Sequence, residues 1–446
     1  MATSSSSPTG SAAASAAAIK YGAPTAVKES VIRKMTRLAR LHGAVNLSQG
    51  FPNEPPPPEV RAALARGALA GDSSDVLDLS TLGFVGEFPG GGAAVTFAKG
   101  PDVHQYSDPA GRPDLRASIA EHYCNIHGYA TVDSASCVTV TLGATEAVAS
   151  ALRTLGRPGD RVAIFEPFHE LYPSQCALFY LEPVYVTLRE DASSSSWTFV
   201  DSELEEALSQ SRIMILNTPH NPTGKVFSEA ELGTIVGLCE KYDVYIVTDE
   251  IYEHMTYGGR AHSVIPKVFP RAADRTLVCN SMGKSASATG WRLGWCITPL
   301  HLSSAYRGVH DQLVIMAPHP VQYAAMAYLS LPERYFREIL PARYVDRLSL
   351  LATALRDAGF QVSDPEGAYY LFAKYRTVRG MGDMGPMDAA SYLMETVGVA
   401  CVPGDNFYGS ARALAEEGRE YLRFAACRSE DDVRRACALL KNLGMR

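Results

Sequence analysis

Lys284 stands in Ser281-Met-Gly-Lys284-Ser-Ala-Ser-Ala-Thr-Gly-Trp-Arg292, directly after the β-rich run Thr276–Asn280. A lysine just past a buried strand is costly to keep charged and unpaired, and desolvation lowers its pKa. Such an amine is a natural Schiff-base former, although taken alone it reads better as an exposed loop lysine. Asp249, in Val247-Thr-Asp249-Glu250-Ile-Tyr252, ends another apolar strand and calls for a cationic partner. A protonated pyridine nitrogen would supply one. At about 4 Å and an effective dielectric of about 20, such a pair is worth on the order of 4 kcal/mol before desolvation is subtracted. In Asn217-Thr-Pro-His-Asn221-Pro-Thr-Gly, two X-Pro bonds and a glycine fix a rigid turn that aims the Asn221 amide. Gly143-Ala144-Thr145 opens a helix after a strand, where backbone N–H groups form an anion site.

The elements that must position these residues alternate along the chain. Cys137–Thr141, Arg161–Phe165, Val184–Thr187, Arg212–Asn217, Val244–Thr248, Thr276–Asn280 and Arg292–Ile297 read as strands separated by helical patterns. That alternation predicts an α/β fold with a mainly parallel central sheet covered by helices. Ser228 and Glu231 form a capping box opening a helix that runs to Lys241. Ligands of such sheets sit at the carboxyl ends of the strands, where Asn221, Asp249 and Lys284 fall. A long helical stretch is expected from Pro299 to about Leu329. Short strands such as Val399–Val402 and Tyr421–Ala425 then mark a smaller α+β domain. The expected divisions are a tail or targeting segment over 1–18, an N-terminal segment over 19–58 packing with the small domain, a large domain over 59–330 and the small domain over 331–446. Gly67–Gly100, rich in Gly, Ser and Ala, reads as an inserted surface loop.

Bulk properties narrow the classes. A chain of 446 residues with 46% hydrophobic and 20% charged residues needs neither disulfides nor metals to hold its core. The net charge of −7 is spread without a basic run, so nucleic acid is not an expected partner. No apolar stretch reaches the roughly 18 residues a membrane span needs. The nine cysteines are scattered with no Cys-x-x-Cys, which argues for reduced thiols in an intracellular compartment and against a zinc site, so no metal is expected and a cytoplasmic setting is the default. The Ala/Ser-rich run Met1–Ala18 leaves a plastid or mitochondrial address open as the alternative. Gly283-Lys284-Ser285 is not the end of a nucleotide-binding loop, because Val278 stands where that loop needs glycine.

The three motifs, in this order and spacing, resemble the fold-type I pyridoxal-5′-phosphate (PLP) enzymes, in particular class I aminotransferases. The subgroup is that of kynurenine, glutamine–phenylpyruvate and methionine aminotransferases. Glu29-Ser-Val-Ile-Arg-Lys-Met through Asn46-Leu-Ser-Gln-Gly50-Phe-Pro resembles their opening, and the likeness runs from about Ile19 to Leu443 outside the insertion. The resemblance implies that Lys284 carries PLP as a Schiff base and shuttles the substrate proton, and that Asp249 pairs with the ring nitrogen. Tyr252 and Asn221 would hydrogen-bond the ring oxygen. Arg292, Ser281 and Gly143-Ala144-Thr145 would hold the phosphate, with Tyr106 reaching the phosphate of a neighbouring subunit in a homodimer with shared sites. Arg423, in Glu420-Tyr-Leu-Arg-Phe-Ala, would bind the substrate carboxylate, with Arg428 as its rival, and the Gly50 backbone would close over the substrate. Two positions depart from the family. His169 stands where relatives stack an aromatic ring on the cofactor, unless Phe168 takes that place, and Gly283 replaces a common serine.

The implied reaction is ping-pong transfer of an amino group from an L-amino acid to a 2-oxo acid. No second arginine marks a dicarboxylate pocket. Tyr21, Tyr106, Tyr172 and His169 could instead line one for aromatic, methionine, glutamine or kynurenine-like donors. A cysteine-conjugate β-lyase or a related PLP lyase is the nearest alternative, and a PLP-binding regulator the more distant one.

Overall fold

The computed structural model describes residues 29–68, 76–78, 94–96, 103–191 and 196–444. The Met1–Ala18 segment, Tyr21 and most of Gly67–Gly100 lie outside the described residues. Within that last stretch, Val76–Asp78 pairs antiparallel with Ala94–Thr96.

Seven strands form the central sheet: β1 (Val138–Thr141), β2 (Arg161–Glu166), β3 (Glu182–Thr187), β4 (Ile213–Asn217), β5 (Tyr245–Asp249), β6 (Thr276–Ser281) and β7 (Gly294–Ile297). Their spatial order is β1-β7-β6-β5-β4-β2-β3, and β7 alone runs against its neighbours. The sheet is thus mainly parallel, as the alternating pattern predicts. Its strands are continuous apolar runs because both faces are covered. Along β4, Ile213 and Ile215 pack with Val162 and Leu277 on one face, while Met214 and Leu216 pack with Phe165 and Ile246 on the other. The expected capping box is present in both halves: the Ser228 side chain accepts from Glu231 N and the Glu231 carboxylate accepts from Ser228 N. It starts a helix over Glu229–Lys241. Register places Asp249 opposite both Asn217 and Cys279, so β4, β5 and β6 end along one edge of the sheet.

Three expected boundaries shift. The strand expected from Arg292 begins at Gly294, because Arg292 takes a left-handed conformation (φ 55°) after a short 3-10 turn. The single helical stretch expected from Pro299 to Leu329 is two helices, Leu300–Val314 and His319–Leu329. Ile315 breaks it at φ 67°, and Pro318 caps the second helix without an N–H to continue the first. The strand expected over Val399–Val402 divides between two partners. Val399–Ala400 pairs parallel with Val45–Asn46, and Val402–Pro403 pairs antiparallel with Tyr421–Ala425. Tyr421–Ala425 is the centre of a three-stranded sheet whose other edge is Tyr370–Lys374. This sheet belongs to the smaller domain and carries Arg423 opposite Phe372 and Val402. No helix among the described residues is long and apolar enough to cross a membrane.

Candidate active site

The strand ends meet at a cavity of about 140 Å³ whose walls include Thr145, His169, Tyr172, Asn221, Asp249, Tyr252, Lys284 and Arg292. Residues that lie apart in the sequence therefore share one space, as the edge rule for parallel sheets requires. The Lys284 ammonium donates to the Gly50 carbonyl at 2.6 Å. Burial pulls its pKa down to about 8, against a smaller upward pull from Cys427 and Asp249. Gly50 has no room for a side chain, because a Cβ there would lie 1.8 Å from the Tyr370 hydroxyl.

Asp249 is 5% exposed and carries one satisfied oxygen. The Tyr172 hydroxyl donates to Oδ2 at 2.7 Å, while Oδ1 is buried without a hydrogen-bond partner. Burial raises the carboxyl to about 6, opposed by the Tyr172 hydrogen bond. The Tyr252 hydroxyl lies 2.9 Å from that of Tyr370, and burial holds the Tyr252 phenol well above its ordinary pKa, so it stays a donor. Arg423 is 1% exposed. It donates to Asn221 Oδ1 at 2.9 Å and to the Ser48 carbonyl at 2.7 Å, stacks over Tyr370 and Phe407, and keeps a buried Nε with no partner.

At the other end of the cavity, Gly143 caps the helix Ala144–Leu155. Its φ of 77° and the Arg292 Nη2 that a Cβ would meet at 2.8 Å both require glycine. The first N–H groups of that helix have no intrahelical acceptor, and Arg292 Nη2 stands 3.3 Å from Thr145 Oγ1, so donors and positive charge converge there. Ser281 ends β6 as a buried residue and is not among the cavity walls.

His169, not Phe168, faces the cavity. Phe168 is 4% exposed and stacks on Tyr185 in the core. Burial, reinforced by Arg423 and Lys284, lowers His169 to about 3, so its ring is neutral. Its Nδ1 accepts from Leu171 N at 3.2 Å, which leaves the proton on Nε2. Tyr106 is outside the cavity of its own chain and is 75% exposed. Arg428 binds the Phe51 carbonyl at 3.3 Å and stacks over its ring, so it is engaged away from Arg423's place. Sequence reasoning missed the pairing of Tyr172 with Asp249 and the whole contribution of Tyr369 and Tyr370. The i,i+3 spacing of His169 and Tyr172 at a helix start was the available signal for the first.

Comparison with known proteins decides the family. The profile of class I and II aminotransferases matches residues 42–440. The chain belongs to that family. It is 30% identical to human kynurenine–oxoglutarate transaminase 1 over 421 residues, covering 89% of this chain and 92% of the relative. It is 29% identical to the Escherichia coli methionine aminotransferase over 375 residues, covering 84% and 86%. Among solved structures, N-succinyldiaminopimelate aminotransferase from Mycobacterium tuberculosis superposes with a TM-score of 0.81 at 30% identity, covering 94% of this chain and 98% of that one. The aminotransferase is accordingly a PLP-dependent transaminase of fold type I. Its cavity fits the cofactor: the unpartnered Asp249 Oδ1 suits a ring N–H, and the Ala144–Thr145 helix start beside Arg292 suits a phosphate.

Proposed function

We propose that this aminotransferase moves the amino group of an aromatic, methionine, glutamine or kynurenine-like L-amino acid to a 2-oxo acid in two half-reactions. The unpartnered Nε of the buried Arg423 carries the reading: a fixed cation with an open donor calls for a planar carboxylate. Arg423 grips the α-carboxylate of donor and acceptor alike, and Asn221, fixed by Arg423 through its Oδ1, turns its amide toward the cofactor ring oxygen beside Tyr252. Lys284, pulled down to about 8 by burial, would hold the cofactor through its amine and, once freed, would serve as the general base for the α-proton. Bound PLP supplies an electron-withdrawing ring that takes up the electron pair the proton leaves behind. Asp249 holds that ring's nitrogen protonated, with Tyr172 holding Asp249 in turn. His169 covers the ring with a neutral imidazole face. Gly50 and the tyrosines 369 and 370 close over the substrate and exclude water.

Tyr172, Tyr252 and the neutral His169 are among the described cavity walls, which supports uncharged donors. The named activities of the kynurenine and methionine relatives support the same class. Tyr106, exposed on its own chain, acts in this reading on the phosphate of a second subunit in a homodimer. The scattered cysteines suit an intracellular compartment, with the cytoplasm as the default setting. Initial rates over a panel of donors at several fixed 2-oxo acid concentrations test the proposal. Parallel double-reciprocal lines and a preference for uncharged donors are expected. Intersecting lines would refute the two half-reactions, and aspartate far ahead of the rest would refute the substrate class.

A further inference from the structure

Beside the turn that follows β5 lies a buried group of imidazoles and carboxylates that transamination does not use. His122 and His127 come from the helix Pro113–His127, and Glu253 and His254 from the turn that follows β5. His122, Glu253 and His254 each offer a ligating atom within 4.8 Å of the other two, and they are 4%, 5% and 6% exposed. His122 Nε2 and His254 Nε2 are both buried without a hydrogen-bond partner. His254 Nε2 stands 3.1 Å from Glu253 Oε1, yet the pair makes no hydrogen bond, so the nitrogen and oxygen approach side by side.

From these placements we infer that His122, Glu253 and His254 form a site for one divalent transition-metal ion, best matched by zinc. Two ligands about 2.0–2.1 Å from a tetrahedral zinc stand about 3.3 Å apart, close to the His254–Glu253 separation. Imidazole ring centres around one such ion lie about 5.2 Å apart by the same geometry, and those of His122 and His254 are 5.4 Å apart, edge to face. Closing the remaining gap takes side-chain shifts of about an ångström. His127 Nε2 lies 2.8 Å from Glu253 Oε2 and orients the carboxylate from behind, as outer partners of metal ligands do. The nearby His262 is already held by Glu250 at 2.8 Å and stays outside the ligand set. A surface groove of about 500 Å³ between Glu121, Asn125, Glu333 and Phe336 has His122 in its lining. It provides an entry path and room for a water as fourth ligand. Because Tyr252 sits in the same turn as Glu253 and His254, a bound ion would stiffen the segment that delivers Tyr252 to the cofactor.

The test uses the PLP-loaded protein stripped with a chelator, then equilibrated with zinc or cobalt(II), alongside His122→Ala and His122→Gln. We expect one zinc per chain in the wild type, at least tenfold weaker binding in both variants, and unchanged transamination in metal-free buffer. Cobalt should give the wild type a visible four-coordinate ligand-field band that the variants lack. Equal zinc binding in wild type and variants would overturn the site. If the variants do not fold, the wild-type cobalt spectrum decides alone: a four-coordinate band from nitrogen and oxygen ligands supports the site. An unchanged aqueous cobalt spectrum, or a thiolate charge-transfer band placing the metal on cysteines, refutes it.

Discussion

Replacing Tyr172 by Phe removes one hydroxyl and leaves the ring in place. Its effect follows from the 2.7 Å bond to Asp249 Oδ2. A hydrogen bond to a charged group is worth about 1.5–3 kcal/mol, which at 1.36 kcal/mol per pH unit is a pKa rise of about 1–2. Asp249 begins at about 6 through burial, so Tyr172→Phe moves it to roughly 7–8. In the proposed site the cofactor ring nitrogen pairs with the anionic carboxylate. At pH 7 the anionic fraction falls from about nine-tenths to between roughly one-half and one-tenth, and at pH 9 it stays above roughly nine-tenths. PLP affinity of the cofactor-free variant should therefore drop about two- to tenfold at pH 7 and recover by pH 9. The hydroxyl's contribution to the anion is present before and after binding, so above the shifted pKa it cancels. Absorbance titration of cofactor-free wild type and variant with PLP from pH 6 to 9 reads this directly. A loss of the same size at pH 7 and pH 9, or no loss at either, refutes the reasoning.

Further outcomes follow from the same geometry. Arg423→Ala leaves the Asn221 amide without its buried cation and, in the proposed reaction, the substrate carboxylate as well, so kcat/KM should fall by about 10²–10³, or about 3–4 kcal/mol; a loss under tenfold would place the carboxylate elsewhere. Asp249→Asn should inactivate the enzyme while stabilising the cofactor-free fold. The folded pKa is raised from the ordinary 3.8 to about 6 by burial, so the unfolded chain ionises first. Stability falls as pH rises between those values, by on the order of 3 kcal/mol in full above about 6, and the asparagine escapes that cost. Denaturant melts should show the gain at pH 7 and none at pH 3.5; equal stability at both would contradict it. Gly50→Ala forces a methyl onto the Tyr370 hydroxyl and should raise KM for every donor, which a donor panel would show.

Much of the site was legible in the sequence because its chemistry sits at strand ends, and strands with helix caps have local signals. The apolar runs ending at Asn217, Asp249 and Ser281 place Asn221, Asp249 and Lys284 on one edge. What escaped depends on contacts far apart in the chain. Tyr172 and Asp249 are 77 residues apart, and Tyr252 and Tyr370 are 118 apart. No local periodicity reports either pairing. Tyr370–Lys374 was missed as a strand because a short buried apolar run has no alternation to distinguish it. The Val399–Val402 division likewise needs knowledge of two separate partners. His122 and His254 lie on elements that meet only in the fold, so a search for cysteine pairs could not find them.

In the proposed reaction, Lys284 and the groups around it carry a complete amino-transfer half-reaction. The most direct measurement is the visible absorption of the PLP-loaded enzyme mixed with one amino acid and no acceptor, for wild type and Lys284→Ala. Wild type should lose the PLP band while releasing one equivalent of 2-oxo acid, and regain it on adding a different 2-oxo acid. Lys284→Ala should release none on that timescale. A wild-type band that persists with every donor, bleaching accompanied by pyruvate and ammonia, or normal turnover by Lys284→Ala would contradict the account.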